Sequence, residues 1–380
     1  MEEVRFFEDV TGGTGLRDET LAALRAAGLN PGEVARAVRA ALDEDFAYGP
    51  DVTSAATVAG RTITGDVVAR EAGVMAGGPV ALAVLDLIGG YVEGSAANWR
   101  AAAGRRTAAG ARAAAGARAV SGPRAVSGSV LVPDGERIGA GDAVLRVSGP
   151  APAVLGAERT MLNFLTHLSG IATATRAWAD AIDGTGAVVR DTRKTTPGLR
   201  VLDKYAVRCG GGRNHRMGLG DAALIKDNHI AAAGGVAAAV TAVRAAAAGW
   251  DSAGPVVAGP VVAGPGSDGS GSGAARLGLA PSGTLAGLVI EVECDSVAQV
   301  REALEAGAHF LLLDNMPLAS LREAVAVARD YYGVRLEASG GLALANAREV
   351  AETGVDYLAV GALTHSSRAL DLGLDFAGEG

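Results

Sequence analysis

The fold is decided by four stretches in the C-terminal part of the chain: LVIEVECD (288–295), HFLLLDN (309–315), VRLEASGG (334–341) and DYLAVGAL (356–363). Each is a short apolar run, as expected of a buried strand in a parallel sheet. The segments between them predict helices near 296–306, 318–331 and 343–352. Because strand and helix alternate, the sequence predicts a parallel sheet, closed most economically as a TIM-like β/α barrel.

Polar residues or glycine stand where these strands end. Glu293, Asp314, Ser339 and Gly361 are 21, 25 and 22 residues apart, the spacing of a β/α repeat. The functional residues of β/α barrels gather at the carboxyl ends of the strands. These four positions are therefore candidates for one site.

Two of the strand ends are rich in glycine. Ser339, Gly340 and Gly341 follow one strand, and Gly361 follows the next. Backbone N–H groups at the start of the following helices bind phosphate well, because glycine permits close approach and the helix dipole favours an anion. The sequence predicts a phosphate cradle here.

Carboxylates also occur inside the strands. Glu291 and Glu293 face the same side of their strand, as do Glu337 and Ser339. A charged group in an apolar strand is costly to bury unless it meets a metal, a sugar hydroxyl or a cation. We favour a functional role over structural ion pairs with the barrel's own Lys and Arg, and which of Glu291 and Glu293 is the ligand stays open.

A basic stretch precedes these strands, RDTRKTTPGLRVLDKYAVRCGGGRNHRMGLGDAALIKDNHI (190–230), which holds nine of the chain's 34 Lys and Arg. Its charges alternate with Gly and Pro instead of following helical spacing, so a solvated basic face is disfavoured. Arg offers a planar fork for carboxylate or phosphate, and Lys a compact charge. The stretch predicts a site for a ligand with several negative groups.

Composition limits the remaining function classes. The 380-residue chain has a net charge of −8 and is 49% hydrophobic, which suits two domains and argues against a general nucleic-acid binder. Cys209 and Cys294 form no disulfide framework, the N-terminus resembles no signal peptide, and no apolar run is long enough to span a bilayer. We expect a cytoplasmic protein without nucleic-acid or membrane partners.

The predicted organisation is a small N-terminal α/β sandwich domain followed by the barrel. Apolar residues at helical spacing over 18–45 predict two helices in the first, and the Ala-rich segment 231–248 predicts a single helix in the second. Two segments of low complexity, with tandem repeats and dense in small residues, are predicted as surface insertions. The boundaries are a polar extension at 1–17, the N-terminal domain at 18–158 with an insertion at 94–128, the barrel at 159–364 with an insertion at 250–284, and a tail at 365–380 that returns to the N-terminal domain.

The residues 191–230 closely resemble the quinolinate phosphoribosyltransferase family, also called nicotinate-nucleotide pyrophosphorylases (carboxylating). The segments AREAGVMAGGPV (69–80) and ERTMLNFLTHLSGIATATR (158–176) are similar to the same family. A match over about 40 positions is more specific than a short motif. The resemblance covers most of the chain outside the extension and the two insertions.

The resemblance implies a set of site residues. Contacts to the pyridine dicarboxylate and pyrophosphate fall on Arg159, Arg193, Lys194, His215, Arg216 and Lys226. Ribose contacts linked to magnesium fall on Glu293 and Asp314, and the terminal phosphate on Ser339, Gly340, Gly341, Gly361 and His365. Lys194, Glu293 and Asp314 are the implied catalytic residues, and Arg159 is implied to reach the site of a neighbouring subunit, which requires at least a dimer.

The implied reaction joins quinolinate and phosphoribosyl pyrophosphate to give nicotinate mononucleotide, pyrophosphate and carbon dioxide in de novo NAD biosynthesis. Mg²⁺, held by Glu293 and Asp314, is the one cofactor expected. Three alternatives are a relative acting on another pyridine or base, a non-catalytic binding paralogue, and an aldolase-like barrel with Lys226 as a Schiff-base lysine. The cations around Lys226 argue against the last.

Overall fold

The computed structural model describes residues 13–104, 126–250 and 288–376, without the side chains of 93–104 and 248–250. Most of the predicted extension 1–17 and most of both predicted insertions lie outside these ranges. The chain divides into two compact units, 1–173 with 368–380, and 174–367. The boundary at 173/174 and the predicted one at 158/159 fall in the same helix.

The elements follow in chain order. Those before residue 182 are α1 (Asp18–Ala26), α2 (Pro31–Phe46), α3 (Val52–Thr57), β1 (Thr62–Ala69), β2 (Gly73–Val74), α4 (Gly78–Gly104), β3 (Ser127–Val130), β4 (Arg137–Ile138), β5 (Ala143–Pro150) and α5 (Ala151–Ala181). The next are β6 (Val188–Arg190), α6 (Arg200–Cys209), β7 (Ala223–Ile225), α7 (Asp227–Ala233), α8 (Val236–Trp250), β8 (Ile290–Cys294) and α9 (Val297–Glu305). The last are β9 (Phe310–Asp314), α10 (Leu318–Ala328), β10 (Arg335–Ser339), a 3₁₀ turn (Leu344–Asn346), α11 (Ala347–Ala351), β11 (Tyr357–Ala359), α12 (Ala362–His365) and β12 (Leu372–Phe376).

The first unit is built on an antiparallel sheet with the strand order β12-β1-β5-β3. Helix α2 begins with Asn30 as its N-cap, whose side chain accepts hydrogen bonds from Gly32 and Glu33 N–H. Val34, Val38 and Leu42 recur at helical spacing and are fully buried. Burial of each side chain contributes about 1.5–3 kcal/mol to the stability of the fold. This periodicity explains why the two predicted helices form.

The end of the chain completes this sheet. Strand β12 pairs with β1 in an antiparallel ladder from Leu372 to Phe376. A Cβ on Gly170 of α5 would lie 2.2 Å from the Arg368 carbonyl oxygen, so only glycine lets the returning chain pass so close to the helix. Arg70 Nη1 donates to Asp375 Oδ2 at 2.8 Å.

The second unit contains a parallel six-stranded sheet with the order β6-β11-β10-β9-β8-β7. One face is apolar and buried, with Val292, Leu311, Leu313, Leu336, Ala338 and Leu358 at 4% exposure or less. The alternate positions carry charged and aromatic side chains that meet one another inside the barrel. The predicted N-terminal α/β domain and C-terminal β/α barrel are thus confirmed, with six strands in the described part instead of the eight of a TIM barrel.

Two predicted elements differ in extent. Helix α4 continues to Gly104, eleven residues into the predicted insertion 94–128. The single helix predicted over 231–248 is broken into α7 and α8, because Gly234 and Gly235 both have positive φ, 88° and 135°. In the described ranges no single helix is long and apolar enough to cross a membrane, although α7 and α8 satisfy that criterion when taken together across their 90° bend.

Candidate active site

The parallel sheet aligns the ends of its strands. Arg190 on β6 is in register with Ala359, Ala359 with Ser339, and Ser339 with Asp314. Glu293 lies on β8, next to β9, and faces the same side as Asp314 because it is in register with Leu312. The strand ends singled out in the sequence therefore meet at one edge of the barrel.

Lys226 stands at the end of β7, where it is the N-cap residue of α7. Its ammonium forms an ion pair with the Glu293 carboxylate. The Lys226 side chain is 46% exposed and that of Glu293 14%, so the pair can be approached from solvent. It joins the carboxyl ends of two neighbouring strands.

Lys194 and Gly361 lie close together. A Cβ on Gly361 would be 3.0 Å from Lys194 Cδ and 3.3 Å from His365 Nε2. The Thr364 hydroxyl donates to the Lys194 carbonyl oxygen at 2.8 Å. Lys194 and His365 are both exposed, so an ammonium and an imidazole flank an open glycine backbone.

Asp314, Ser339 and Gly340 are connected by Asn315. Asn315 Nδ2 donates to Asp314 Oδ2 at 2.7 Å, and its backbone N–H donates to the Ser339 carbonyl at 2.8 Å. Gly340 and Gly341 have φ of 80° and 64°, conformations that glycine adopts without strain. We call Lys194, Lys226, Glu293, Asp314, Ser339, Gly340, Gly341 and Gly361 the strand-end site.

Arg193 and Arg216 are two half-buried residues of like charge. The Nε atoms of both guanidinium groups are buried and have no hydrogen-bond partner in the described part of the chain. Burial, and next the charge of Arg193, lower the pKa of Arg216 below its usual value. Two desolvated cations with unpaired donors indicate a place where an anion binds.

His215 lies inside the barrel, 7% exposed. Its Nδ1 accepts a hydrogen bond from Arg216 N–H at 2.7 Å, so the proton of the neutral ring is on Nε2. Nε2 is 2.9 Å from Glu291 Oε2. It is also 3.4 Å from Glu337 Oε1, but this second contact is too poorly oriented to be a hydrogen bond. Burial lowers the pKa of His215 to about 4, which keeps the ring neutral.

Arg190 completes this group, and we call Arg190, His215, Glu291 and Glu337 the interior cluster. Arg190 pairs with the Glu337 carboxylate, and its guanidinium lies 5.3 Å and 4.8 Å from the ring centroids of Phe310 and Tyr357. Burial raises the pKa of both carboxyls, to about 7 for Glu291. The groups of the interior cluster are paired mostly with one another, although Glu291 Oε1 and Glu337 Oε1 are buried without a hydrogen-bond partner in the described part of the chain.

A second buried pair holds the backbone of His215. Asp191 accepts from His215 N–H at 2.9 Å, and Lys204 Nζ donates to the His215 carbonyl at 2.9 Å. Asp191 and Lys204 also pair with each other, both fully buried. Burial raises the pKa of Asp191 and lowers that of Lys204, each opposed by the partner's charge.

Two groups in the described residues have the donor types of a cation site. Ligating atoms of His215, Glu291 and Glu337 lie within 4.8 Å of one another, but the Nε2 proton occupies the lone pair that a metal needs, so this donor set does not fit one. Glu293 and Asp314 present carboxylate oxygens on one face of neighbouring strands, which fits a hard cation such as Mg²⁺.

The sequence missed Arg190, Asp191 and Lys204 as organising residues. It singled out Glu337 but favoured a functional role, whereas the structure pairs Glu337 with Arg190 inside the barrel, so the structural ion pair that was disfavoured is the one observed. The structure also distinguishes Glu291 from Glu293, between which the sequence could not choose the ligand. Glu291 is 2% exposed and lies beside His215, whereas Glu293 pairs with Lys226 at the strand ends. Arg159 is exposed on α5 in the first unit. Its role in a neighbouring subunit's site stays a prediction.

Two family models match the chain. The quinolinate phosphoribosyl transferase C-terminal domain matches residues 171–251 and 282–375, and the N-terminal domain of the same enzyme matches residues 114–169. The first match skips 252–281, within the second predicted insertion. The second match begins inside the first predicted insertion, so the family pattern reaches further into that segment than expected.

Relatives of known name give the same result. The chain is 46% identical over 341 residues to a nicotinate-nucleotide pyrophosphorylase (carboxylating) of Mycobacterium leprae, covering 89% of this chain and 95% of that protein. It is 39% identical to a probable nicotinate-nucleotide pyrophosphorylase (carboxylating) of Bacillus subtilis, over 64% of this chain and 70% of that one. The solved nicotinate-nucleotide pyrophosphorylase from Francisella tularensis superposes with a TM-score of 0.68 at 31% identity, covering 91% and 96% of the two chains.

Proposed function

The chain belongs to the quinolinate phosphoribosyltransferase family, and from this premise we propose that it transfers phosphoribosyl from phosphoribosyl pyrophosphate to quinolinate. The products are nicotinate mononucleotide, pyrophosphate and carbon dioxide, a step of de novo NAD biosynthesis. The activity is that of a pentosyltransferase, a nicotinate-nucleotide diphosphorylase (carboxylating).

The observation that carries the proposal is the half-buried pair Arg193 and Arg216. Both guanidinium groups hold a buried Nε donor without a partner. Burial, and next the charge of Arg193, lower the pKa of Arg216. An anion with two carboxylates satisfies both donors and offsets the repulsion between the two cations. Quinolinate is such an anion, and its flat ring suits recognition by two planar guanidinium groups.

The strand-end site suits the second substrate. We assign Lys194 and Lys226 to the pyrophosphate, whose leaving charge ammonium groups stabilise as it forms. Gly340 and Gly341, with Ser339, supply hydroxyl and backbone donors for the 5′-phosphate, and Gly361 and His365 extend the cradle. The carboxylates of Glu293 and Asp314 are acceptors for the ribose hydroxyls.

Glu293 and Asp314 are also the residues that would hold Mg²⁺. When bound there, the ion neutralises pyrophosphate charge and supports its departure. The ion pair with Lys226 holds the Glu293 carboxylate at the strand ends. Positioning of two highly charged substrates beside each other can supply a large share of the rate.

The reaction balances without a redox partner or a covalent enzyme intermediate. The ring nitrogen of quinolinate forms a bond to C1′ of the sugar while the bond from C1′ to the pyrophosphate oxygen breaks. The bond between C2 and the 2-carboxylate then breaks, and carbon dioxide leaves. The electron pair of that bond stays on C2, where the adjacent positive nitrogen stabilises it until C2 takes up a proton. Arg193 and Arg216 hold the ring in place through both steps.

We further propose a cytoplasmic homo-oligomer, at least a dimer, in which Arg159 completes the partner's site. Its support is that Arg159 is exposed on α5, where another subunit can reach it. A net charge of −8 is unfavourable for nucleic-acid binding, and no membrane partner is proposed.

The test is an assay of the purified protein with quinolinate, phosphoribosyl pyrophosphate and Mg²⁺, following carbon dioxide and nicotinate mononucleotide together. Nicotinate serves as the parallel acceptor, because it lacks the 2-carboxylate. Turnover of quinolinate alone, with equal amounts of both products, is the expected result. Turnover of nicotinate, or silence with both acceptors, would refute the assignment of the Arg193 and Arg216 pair to quinolinate.

A further inference from the structure

Asn315 has an unusual backbone. Its φ is 52°, and it is the one residue other than glycine with positive φ in the ranges that the structure describes. Asn tolerates this left-handed conformation better than most residues, but glycine is the usual choice. A side chain retained at such a position, directly after a strand that bears a site residue, calls for a functional explanation.

The conformation turns the Asn315 side chain back over the strand ends. Its Nδ2 donates to Asp314 Oδ2 at 2.7 Å, and its backbone N–H donates to the Ser339 carbonyl at 2.8 Å. One residue is therefore bonded to the last residue of β9 and the last residue of β10. A hydrogen bond to one carboxylate oxygen fixes the rotation of Asp314 and leaves Oδ1 to accept from a ligand.

The amide of Asn315 also occupies the place of a side chain on Gly340. A Cβ built on Gly340 would lie 2.2 Å from Asn315 Oδ1 and 2.5 Å from its Cγ. Gly340 therefore has two reasons to be glycine, its φ of 80° and this contact. The carboxylate of Asp314 and the glycine turn after Ser339 are held at a fixed separation by a single amide group.

We propose that Asn315 is a positioning residue for the phosphoribosyl substrate. It sets the Asp314 carboxylate, assigned above to the ribose, at a fixed distance from the Ser339–Gly341 turn, assigned to the 5′-phosphate. The spacing of these two groups then matches one sugar phosphate. The inference rests on the proposed function, and it concerns phosphoribosyl pyrophosphate and not quinolinate, which is assigned to Arg193 and Arg216.

The experiment compares three variants of the full-length chain. Asn315→Gly keeps the left-handed backbone and removes the amide. Asn315→Asp keeps the shape of the side chain and tolerates the left-handed backbone, but it replaces the Nδ2 donor with a negative charge beside Asp314. Asn346→Asp is the matched control, because Asn346 uses only its Oδ1, as an acceptor from Ala343 N–H at 2.9 Å, and an aspartate preserves that bond.

The measured quantities are the dissociation constant of phosphoribosyl pyrophosphate by calorimetry, with and without Mg²⁺, and KM for each substrate. Losing one hydrogen bond to a charged group should weaken phosphoribosyl pyrophosphate binding about tenfold in Asn315→Gly. Asn315→Asp should weaken it further, because the repulsion adds to the lost bond. The KM for quinolinate and the properties of Asn346→Asp should stay at wild-type values.

Several outcomes would overturn the proposal. They are wild-type affinity for phosphoribosyl pyrophosphate in both Asn315 variants, equal losses for both substrates, and the same loss in Asn346→Asp. A wild-type protein that binds phosphoribosyl pyrophosphate but does not turn over quinolinate would refute the proposed reaction, while the calorimetric comparison would still decide the role of Asn315. A wild-type protein that does not bind it would overturn both.

Gly340→Ala provides a second line if an Asn315 variant fails to fold. The new methyl group collides with the amide, so this variant should also weaken phosphoribosyl pyrophosphate binding. In the Asn315→Gly background the same substitution should cost less, because the amide is gone and only the backbone strain remains. Strictly additive losses would contradict the proposed contact.

Discussion

The interior cluster and the strand-end site lie on the same barrel strands but treat charge in opposite ways. Inside, Arg190 and Glu337 are paired, and the nitrogens of His215 face Glu291 and the backbone of Arg216. At the strand ends, Lys194 and Lys226 remain accessible to solvent. Charges that are buried against one another hold a structure in place, whereas accessible charges can bind a ligand. A shift of a few residues along a strand therefore changes the expected effect of a substitution from stability to activity.

The largest effect should come from Glu337→Leu. It leaves the buried Arg190 without its carboxylate, and breaking a buried pair costs about 3–5 kcal/mol. The free energy of unfolding from urea titration measures the loss. Glu293→Leu is the matched control for stability, since it breaks the more exposed pair with Lys226 and should cost only about 0–1 kcal/mol. Equal losses in the two variants would erase the distinction between the regions.

Lys194→Ala should show the opposite behaviour. Removing a cation that stabilises developing charge costs about 10²–10³-fold in kcat, or about 2.7–4 kcal/mol, whereas thermal unfolding should stay unchanged because Lys194 is exposed. Steady-state kinetics and a melting curve give both numbers from one preparation. Arg322→Ala, which removes an exposed cation from α10, should change neither, and wild-type kinetics in Lys194→Ala would contradict its assignment.

A pH series on His215→Asn sharpens the comparison further. The folded ring has a pKa of about 4, against about 6.5 when unfolded. Below pH 6.5 the unfolded chain therefore binds a proton that the folded chain does not, and acidification destabilises the fold. The free energy of unfolding of His215→Asn, relative to that of wild type, should therefore rise by about 2 kcal/mol as the pH falls from 7 to 5.

Glu291 works in the opposite direction in this window, since burial raises its pKa to about 7 and the folded state binds its proton first. Because Glu291 lies 2.9 Å from His215, the two titrations are coupled. Comparing His215→Asn with wild type, and again in a Glu291→Gln background, separates the contribution of His215 from that of Glu291. For Lys194→Ala, the difference in free energy of unfolding from wild type should not change over the same pH range. A flat difference for His215→Asn would mean that its ring is not held neutral.

The smallest effect should follow replacement of 252–281 by a short Gly-Ser linker. The family match skips these residues, and their composition is dense in Gly, Pro and Ser. We expect kcat/KM within about twofold of wild type, under about 0.5 kcal/mol of barrier. A loss beyond tenfold would show that the segment belongs to the functional part of the molecule.

Local patterns predicted most of the barrel but not its interior. The apolar runs around Val292, Leu311 and Leu336 identified strands, because the buried face of the sheet needs a hydrophobic residue at every second position of each strand. The ends of these runs then located Glu293, Asp314 and Ser339. Periodicity carries this information within a few residues, which is why the strand-end site was visible in the sequence.

The interior cluster could not be seen in the same way. Arg190 meets a glutamate 147 residues later, and no local pattern encodes such a pairing. In the sequence, Arg190 and His215 look like the ligand cations beside them, since composition does not tell which side of a strand or loop faces the interior. The break of the helix at Gly234 and the extension of α4 to Gly104 were likewise missed, because both depend on backbone geometry at small residues.

The pairing of β12 with β1 has a consequence for how the chain is made. The N-terminal unit needs residues 372–376, whereas the barrel unit is continuous from 174 to 367. At about 5–20 residues per second, the ribosome needs roughly 15–60 s to proceed from β1 to β12. During that interval β1 is an open sheet edge, the kind of surface that pairs with foreign strands. The domain synthesised first is thus completed last, and a truncated chain that lacks β12 keeps this edge exposed permanently.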